Sequence, residues 1–340
     1  MNLLAVVDTS VKKEGLQDLT IQRAISSVPF AGRYRLIDFP LSNLVNSGVN
    51  TVGVFPSSPF ASLLDHIGVG KSWDLDRRKN GLFFLPITQR DGGLSTVGAF
   101  AGLEEHMQFF TKSIQPYAIV TNGFVVNQLD FREMLNHHIE SGADITEAVS
   151  EGVSLKNYIL SKDLLVELIQ THRDKNVVSV EDVVNLKKSP YTFNQYEYKG
   201  YFAIIDSVQS YFQASMGLLD EENRKQLFLP GRPIYTKVKD EPPTRYVTGS
   251  SVKRALIANG STIMGEVSDS IISRAVNIKK NARLEKCIIM QKCVIEENCD
   301  LSYVIADKDV YIGEGVVLHG TAEQPIVLRK GEKVTKEDMR

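Results

Sequence analysis

The chain has 340 residues, 43% hydrophobic and 24% charged, with a formal net charge of −2. That length supports two cores, the composition excludes a disordered chain, and the near-neutral balance leaves no basic footprint for nucleic acid or an anionic membrane surface. No stretch is long and apolar enough to span a bilayer. An odd number of cysteines (Cys287, Cys293 and Cys299) with no signal-peptide pattern predicts reduced thiols and a cytoplasmic protein. Their six-residue spacing fits no zinc pattern and points instead to equivalent slots in a fold of period six.

In chain order, the apolar run Leu3 to Val7 predicts a first strand, followed by the polar loop "DTSVKKEG". "PLSNLVNSG" from Pro40 predicts a helix ending at Gly48, and "NTVGVF" at 50–55 a second strand. Trp73 is expected to pack under the "SWDL" loop. "YAIVTN" at 117–122 predicts a strand, "FREMLNHHIESG" a helix from Phe131 capped by Gly142, and "SKDLLVELIQTH" a helix from Ser161. His137 and His138 lie side by side on the Phe131 helix and point apart, which suits flank and surface positions better than a metal pair. "YKGYFAII" at 198–205 predicts a further strand. This alternation predicts a doubly wound, mostly parallel sheet covered by helices over residues 1–240.

Helix periodicity stops at the Pro-rich "DEPPTRYVTGSS" of 240–251. Beyond it apolar residues recur every sixth position: Ile272, Ile278, Leu284; Ile289, Ile295, Leu301; Val304, Val310, Val316. Three hexapeptides closing one triangular turn predict a left-handed parallel β-helix over 252–330, and the scarcity of Asn-Gly or Asp-Gly turns argues against hairpins.

The stretch "SSVPFAGRYRLIDFPLSNLVNSGV" at 26–49, with "LPITQR", "GADITEAV" and "PIYTKVKDEPPTRY", resembles the glucose-1-phosphate adenylyltransferases (ADP-glucose pyrophosphorylases) of bacteria and plants. The resemblance covers most of the chain in order. It implies a nucleotidyltransferase-like domain followed by a left-handed β-helix, and in catalytic relatives Mg-ATP chemistry that positions anions with Mg²⁺, Lys and Arg. Aligned to the family's glycine-rich phosphate loop, Ser10, Val11 and Lys13 stand where glycines belong, and Gly15 where an arginine belongs. Ile25 falls on the catalytic lysine, and Phe124 and Ile204 fall on the two metal-binding aspartates. Asp206 would share the face of Ile204 in a strand and is the remaining carboxylate that could serve as a displaced ligand, although its partner carboxylate is gone. The family's sugar-phosphate lysine has no counterpart, because "SEGV" passes almost directly to "SLKNY" where relatives carry a longer segment.

These losses beside preserved scaffold motifs imply no catalytic residues, no metal and no cofactor of the chain's own. The resemblance assigns Gln89 to the nucleotide base and ties Arg33 and Arg35 to effector response, the alternative for the two arginines being salt bridges on the Asp38 turn. The expected function is a regulatory, catalytically deficient subunit that assembles with a catalytic ADP-glucose pyrophosphorylase subunit as a hetero-oligomer. Two alternatives stay open: a weakly active adenylyltransferase, and a stand-alone nucleotide or sugar-phosphate sensor.

Overall fold

The structure is a computed structural model that describes residues 2–88, 96–186 and 188–339. Its N-terminal part is built on β1 (Leu3–Thr9), α1 (Asp38–Asn46), β2 (Thr51–Pro56), β3 (Gly81–Phe84), β4 (Tyr117–Asn122) and β5 (Val125–Val126). It continues with α2 (Phe131–Ser141), β6 (Ile145–Ser150), β7 (Val153–Ser161), α3 (Lys162–Lys175), β8 (Phe193–Glu197), β9 (Ala203–Ile204) and α4 (Val208–Gly217). Seven strands form one sheet in the order β8-β6-β7-β4-β1-β2-β3. All neighbours are parallel except β7, which runs antiparallel to both β4 and β6. All seven residues of β1, at the sheet centre, are buried, which is why the strand reads as a continuous apolar run rather than an alternating one.

The helix ends follow their local chemistry. Gly142 closes α2 in the left-handed region, as expected for a C-terminal glycine, and the Ser161 hydroxyl caps α3 by accepting from the Leu164 N–H. The expected strand over 198–205 is only partly present. A strand precedes it, β8, and the chain then leaves the sheet before the two-residue β9, with the Tyr198 ring folded over the backbone of Gly200 so closely that a Cβ there would lie 2.3 Å from its hydroxyl. At the shortened segment, β6 and β7 are joined by Glu151-Gly152 alone, with φ of 50° and 77°. Positive φ at both positions is the two-residue hairpin geometry that follows strand twist.

From Arg245 onward the chain winds through three parallel sheets of six, five and five short strands, a parallel β-helix. In one sheet Val267, Leu284, Leu301 and Leu318 stack in register, so one turn takes 17 residues. Left-handed corner residues repeat with the same step: Asp269, Lys286 and Tyr303, then Ala275, Lys292 and Asp309. The 17-residue turn corrects the third apolar triplet. Val304 stacks on Cys287 rather than on Ile289, whose partner is Ala306, and Val304, Val310 and Val316 continue the inward slots of Cys287, Cys293 and Cys299. Residues two apart in a strand share a face, so the shift leaves all of them buried. The cysteines are free, and burial pushes the Cys287 and Cys293 thiols up to about 12 and raises that of Cys299.

One face of the β-helix is apolar inside and out. Ile271, Ile288 and Ile305 turn outward from the third sheet, yet each is almost fully buried, and Ile288 and Ile305 belong to the same apolar core as β1. A buried ion pair between Arg23 and Asp307 and a surface pair between Arg329 and Asp18 also cross this junction. Among the described residues, no helix is long and apolar enough to cross a membrane.

Candidate functional site

The loop after β1 turns into a short 3-10 segment, Glu14–Leu16, and opens on a cavity of about 500 Å³ whose wall includes Thr9, Ser10, Lys13, Arg23, Ile25 and Ser57. Gly15 packs against the backbone leading into α4. A Cβ there would stand 2.9 Å from the Asp206 carbonyl and 3.0 Å from the Ser207 Cβ, so no side chain, and least of all an arginine, fits this arrangement. Ile25 is 3% exposed and joins the core. Phe124, just past β4, is 2% exposed, and its ring carries the Lys13 ammonium 4.8 Å from the centroid. β9 pairs antiparallel with β5, setting Ile204 opposite Val125, and the Ile205 N–H donates to the Phe124 carbonyl at 2.9 Å.

Of the four positions singled out from the sequence, Ile25 lines the cavity, Phe124 reaches its wall through Lys13, and Gly15 and Ile204 are tied to the same region through the Asp206 backbone and the β9–β5 pairing. What they supply there is apolar surface and backbone. Asp206 is exposed, and among the described residues no group of three His, Cys, Asp or Glu side chains is placed to hold a metal. The Mg²⁺ that the family chemistry implies would have to be held at Phe124 and Ile204, which have no side-chain donor atoms, so the residues present do not fit the ion. Gln89 lies outside the described residues.

A second feature lies at the junction of the two halves. Arg35 is 9% exposed, and its guanidinium donates to the Ser62 carbonyl at 2.6 Å and its hydroxyl at 3.0 Å. It does not pair with Asp38, which accepts instead from the Arg35 backbone N–H at 2.9 Å and pairs with His66 at 2.5 Å. Arg33 is exposed, stacked 5.3 Å from the Tyr34 ring. Around them gather Lys239 from the connecting segment and Arg274 and Lys308 from the β-helix. Burial lowers Lys239, Arg274 and Arg35, and it pushes Lys308 down to about 7. The neighbouring cations add to each shift: Arg274 acts on Lys239, Arg33 on Arg274, and Arg35 and Arg23 on Lys308. Mutually repelling, partly desolvated cations are an arrangement that gains from an anion. The sequence pointed to Arg33 and Arg35 but not to their partners, which arrive from more than 200 residues away.

The remaining residues of note are structural. Trp73 is 2% exposed with its ring edge against His66. His138 is buried, not at the surface position expected, because it lies on the α2 face turned to β6, where its Nδ1 hydrogen-bonds to the Thr146 hydroxyl at 2.8 Å, while His137 contacts the Gln195 carbonyl from the half-buried flank.

Residues 14–157 match the nucleotidyl transferase family and residues 242–325 the GlmU-like C-terminal hexapeptide family. The chain is 47% identical to the glycogen biosynthesis protein GlgD of Bacillus subtilis, over 97% of this chain and 96% of that one. It is 49% identical to the GlgD of Geobacillus stearothermophilus over the same shares. The chain belongs to the GlgD family. It also belongs to the wider glucose-1-phosphate adenylyltransferase family, being 30% identical to that enzyme of Geobacillus stearothermophilus over 78% of this chain and 79% of the enzyme.

Proposed function

We propose that this GlgD-family chain is a regulatory, catalytically deficient subunit that assembles with a catalytic glucose-1-phosphate adenylyltransferase in glycogen biosynthesis and alters its turnover or effector response. One observation carries the reading: Ile25 and Phe124 are buried in the apolar core, Ile204 sits in the β9–β5 pair, none of the three offers a metal ligand or a lysine, and the position of Gly15 has no room for a side chain. Losing a single preorganised charge contact costs about 10² to 10³ in rate, and several are missing together. The cationic junction formed by Arg33, Arg35, Lys239, Arg274 and Lys308 supports a retained response to an anionic effector. Geobacillus stearothermophilus has both a GlgD and a glucose-1-phosphate adenylyltransferase, so in that relative a catalytic homologue is at hand.

A second reading, a stand-alone nucleotide or sugar-phosphate sensor, draws on the 500 Å³ cavity beside Lys13 and Arg23. Co-expression with the catalytic homologue followed by size-exclusion chromatography separates the two. A shared peak of mixed composition is the result expected for the regulatory subunit. Separate elution, with nucleotide binding by the isolated chain, would favour the sensor.

A further inference from the structure

At the end of β1 a carboxylate is sealed inside the protein. Asp8 is 3% exposed and points into backbone rather than toward a cation. Its Oδ1 accepts from the Ser10 N–H at 2.9 Å and from the Ser10 hydroxyl at 2.6 Å. Its Oδ2 accepts from the Gly98 N–H at 2.7 Å, and the Ala99 N–H is directed at the same carboxylate. The preceding N–H, that of Val97, goes to a second internal carboxylate, Glu181, at 2.9 Å, whose other oxygen holds Lys156 at 2.8 Å. Two consecutive N–H groups, those of Gly98 and Ala99, with a third from Ser10 in the β1 loop, thus converge on Asp8, while that of Val97 serves Glu181.

Convergent successive N–H groups are the general form of an anion nest. Here Gly98, at φ +75°, permits the bend; a Cβ there would also lie 2.9 Å from Val120. The nest is backed by the cavity wall, since Ser10 both binds Asp8 and lines the cavity together with Lys13. Burial pushes the Asp8 carboxyl up and the Ser10, Gly98 and Ala99 donors pull it down. No ion pair of Asp8 is formed among the described residues, so hydrogen bonds from the two loops are what hold the charge.

We propose that the Ser10 loop and the Gly98–Ala99 segment form an anion-binding site for a small carboxylate, and that Asp8 is its built-in occupant. Asp8 ties the β1 loop to the segment before residue 100 and holds both in the arrangement that an external anion would otherwise have to induce. The loop is thereby fixed without ligand. This holds whether or not the chain regulates a partner, and its test is separate from any assay of adenylyltransferase activity.

The test uses the full chain and the variants Asp8→Ala and Asp8→Asn, with formate, acetate and inorganic phosphate as probes against chloride at equal ionic strength. Asp8→Ala leaves a carboxylate-sized hole lined by unpaired N–H groups. Its melting temperature should fall and then rise saturably by a few degrees with formate but not with the bulkier phosphate, while wild type responds to these anions no more than to chloride. Asp8→Asn fills the hole and should show no such rescue. Hydrogen exchange gives a second reading where Asp8→Ala does not fold: in Asp8→Asn the Ser10 and Gly98 amides should exchange faster than in wild type, with those of β8 unchanged. An Asp8→Ala chain that folds but responds to formate as wild type does, or wild-type protection of Ser10 and Gly98 in Asp8→Asn, would overturn the proposal.

Discussion

Phe124 and Gly15 show at the residue scale how packing decides which side chains a position can carry. Phe124 is part of the core and a stacking surface for Lys13, so Phe124→Asp exchanges a buried ring for a buried, unpaired carboxylate. Its expected cost is about 3–5 kcal/mol of stability with no gain of turnover. Chemical denaturation measures it, and a loss under about 1 kcal/mol would mean that the pocket still tolerates a metal ligand. Combining Phe124→Asp with Ile204→Asp and Ile25→Lys should restore Mg²⁺ binding before it restores turnover, because Gly15 still leaves no space for an arginine. Calorimetric titration with Mg²⁺ beside a product assay checks the order. The junction cations carry a pH signature. Lys308 is held at about 7, so it gains its proton as pH falls through that value, and sulfate, whose own charge is constant over this range, should bind there more tightly at pH 6 than at pH 8. Lys308→Met should flatten that dependence. Of this chemistry, the sequence revealed the identities at Ile25, Phe124 and Ile204 but not Asp8, whose partners Gly98 and Ala99 are brought to it only by the fold.

At the scale of elements, legibility followed how local the cause was. Gly142 and Ser161 act on their own helices and were readable as stop and start signals, and the β1 run was readable because both faces of the sheet are covered. β8 was missed because it is an edge strand of mixed polarity, half exposed along its length. The misplaced Val304 triplet came from assuming a turn of three full hexapeptides where the register shows 17 residues. The Ile271-Ile272 and Ile288-Ile289 doublets did carry a signal of a strand buried on both faces, one that inward periodicity alone passes over. Ile288→Glu should therefore loosen the domain junction by about 3–5 kcal/mol and split thermal unfolding into two transitions. A single, unshifted calorimetric peak would contradict it. His138 gives α2 and β6 a pH dependence. Burial holds its imidazole below 6.5, so under acid the unfolded chain takes up a proton that the folded chain refuses. Stability is full above pH 6.5 and declines as pH falls below it. His138→Gln should lower the melting temperature at pH 7.5 yet show a smaller further drop down to pH 5.5.

For the whole molecule, a two-part architecture was readable from the change of periodicity near residue 240, whereas the shared core between the parts was not, because it depends on outward-facing residues of the β-helix. That shared core also bears on function. The β-helix cannot be removed without stripping Ile271, Ile288 and Ile305 from the sheet domain, so the two halves should move as one body when a partner binds. Arg23 sits where the cavity and the cationic junction adjoin, lining the first and bound to Asp307 beside Lys308. An anion bound at the junction would therefore reach the wall of the cavity through one side chain. The central claim, that this GlgD-family chain regulates without catalysing, is tested most directly by ADP-glucose synthesis from ATP, Mg²⁺ and glucose 1-phosphate with the pure chain, the catalytic homologue, and the two mixed at rising ratio. The account predicts no product from the pure chain and a saturable change in the homologue's rate, substrate affinity or effector response on mixing. Turnover by the pure chain within tenfold of the homologue, or homologue kinetics unchanged at every ratio, would contradict it.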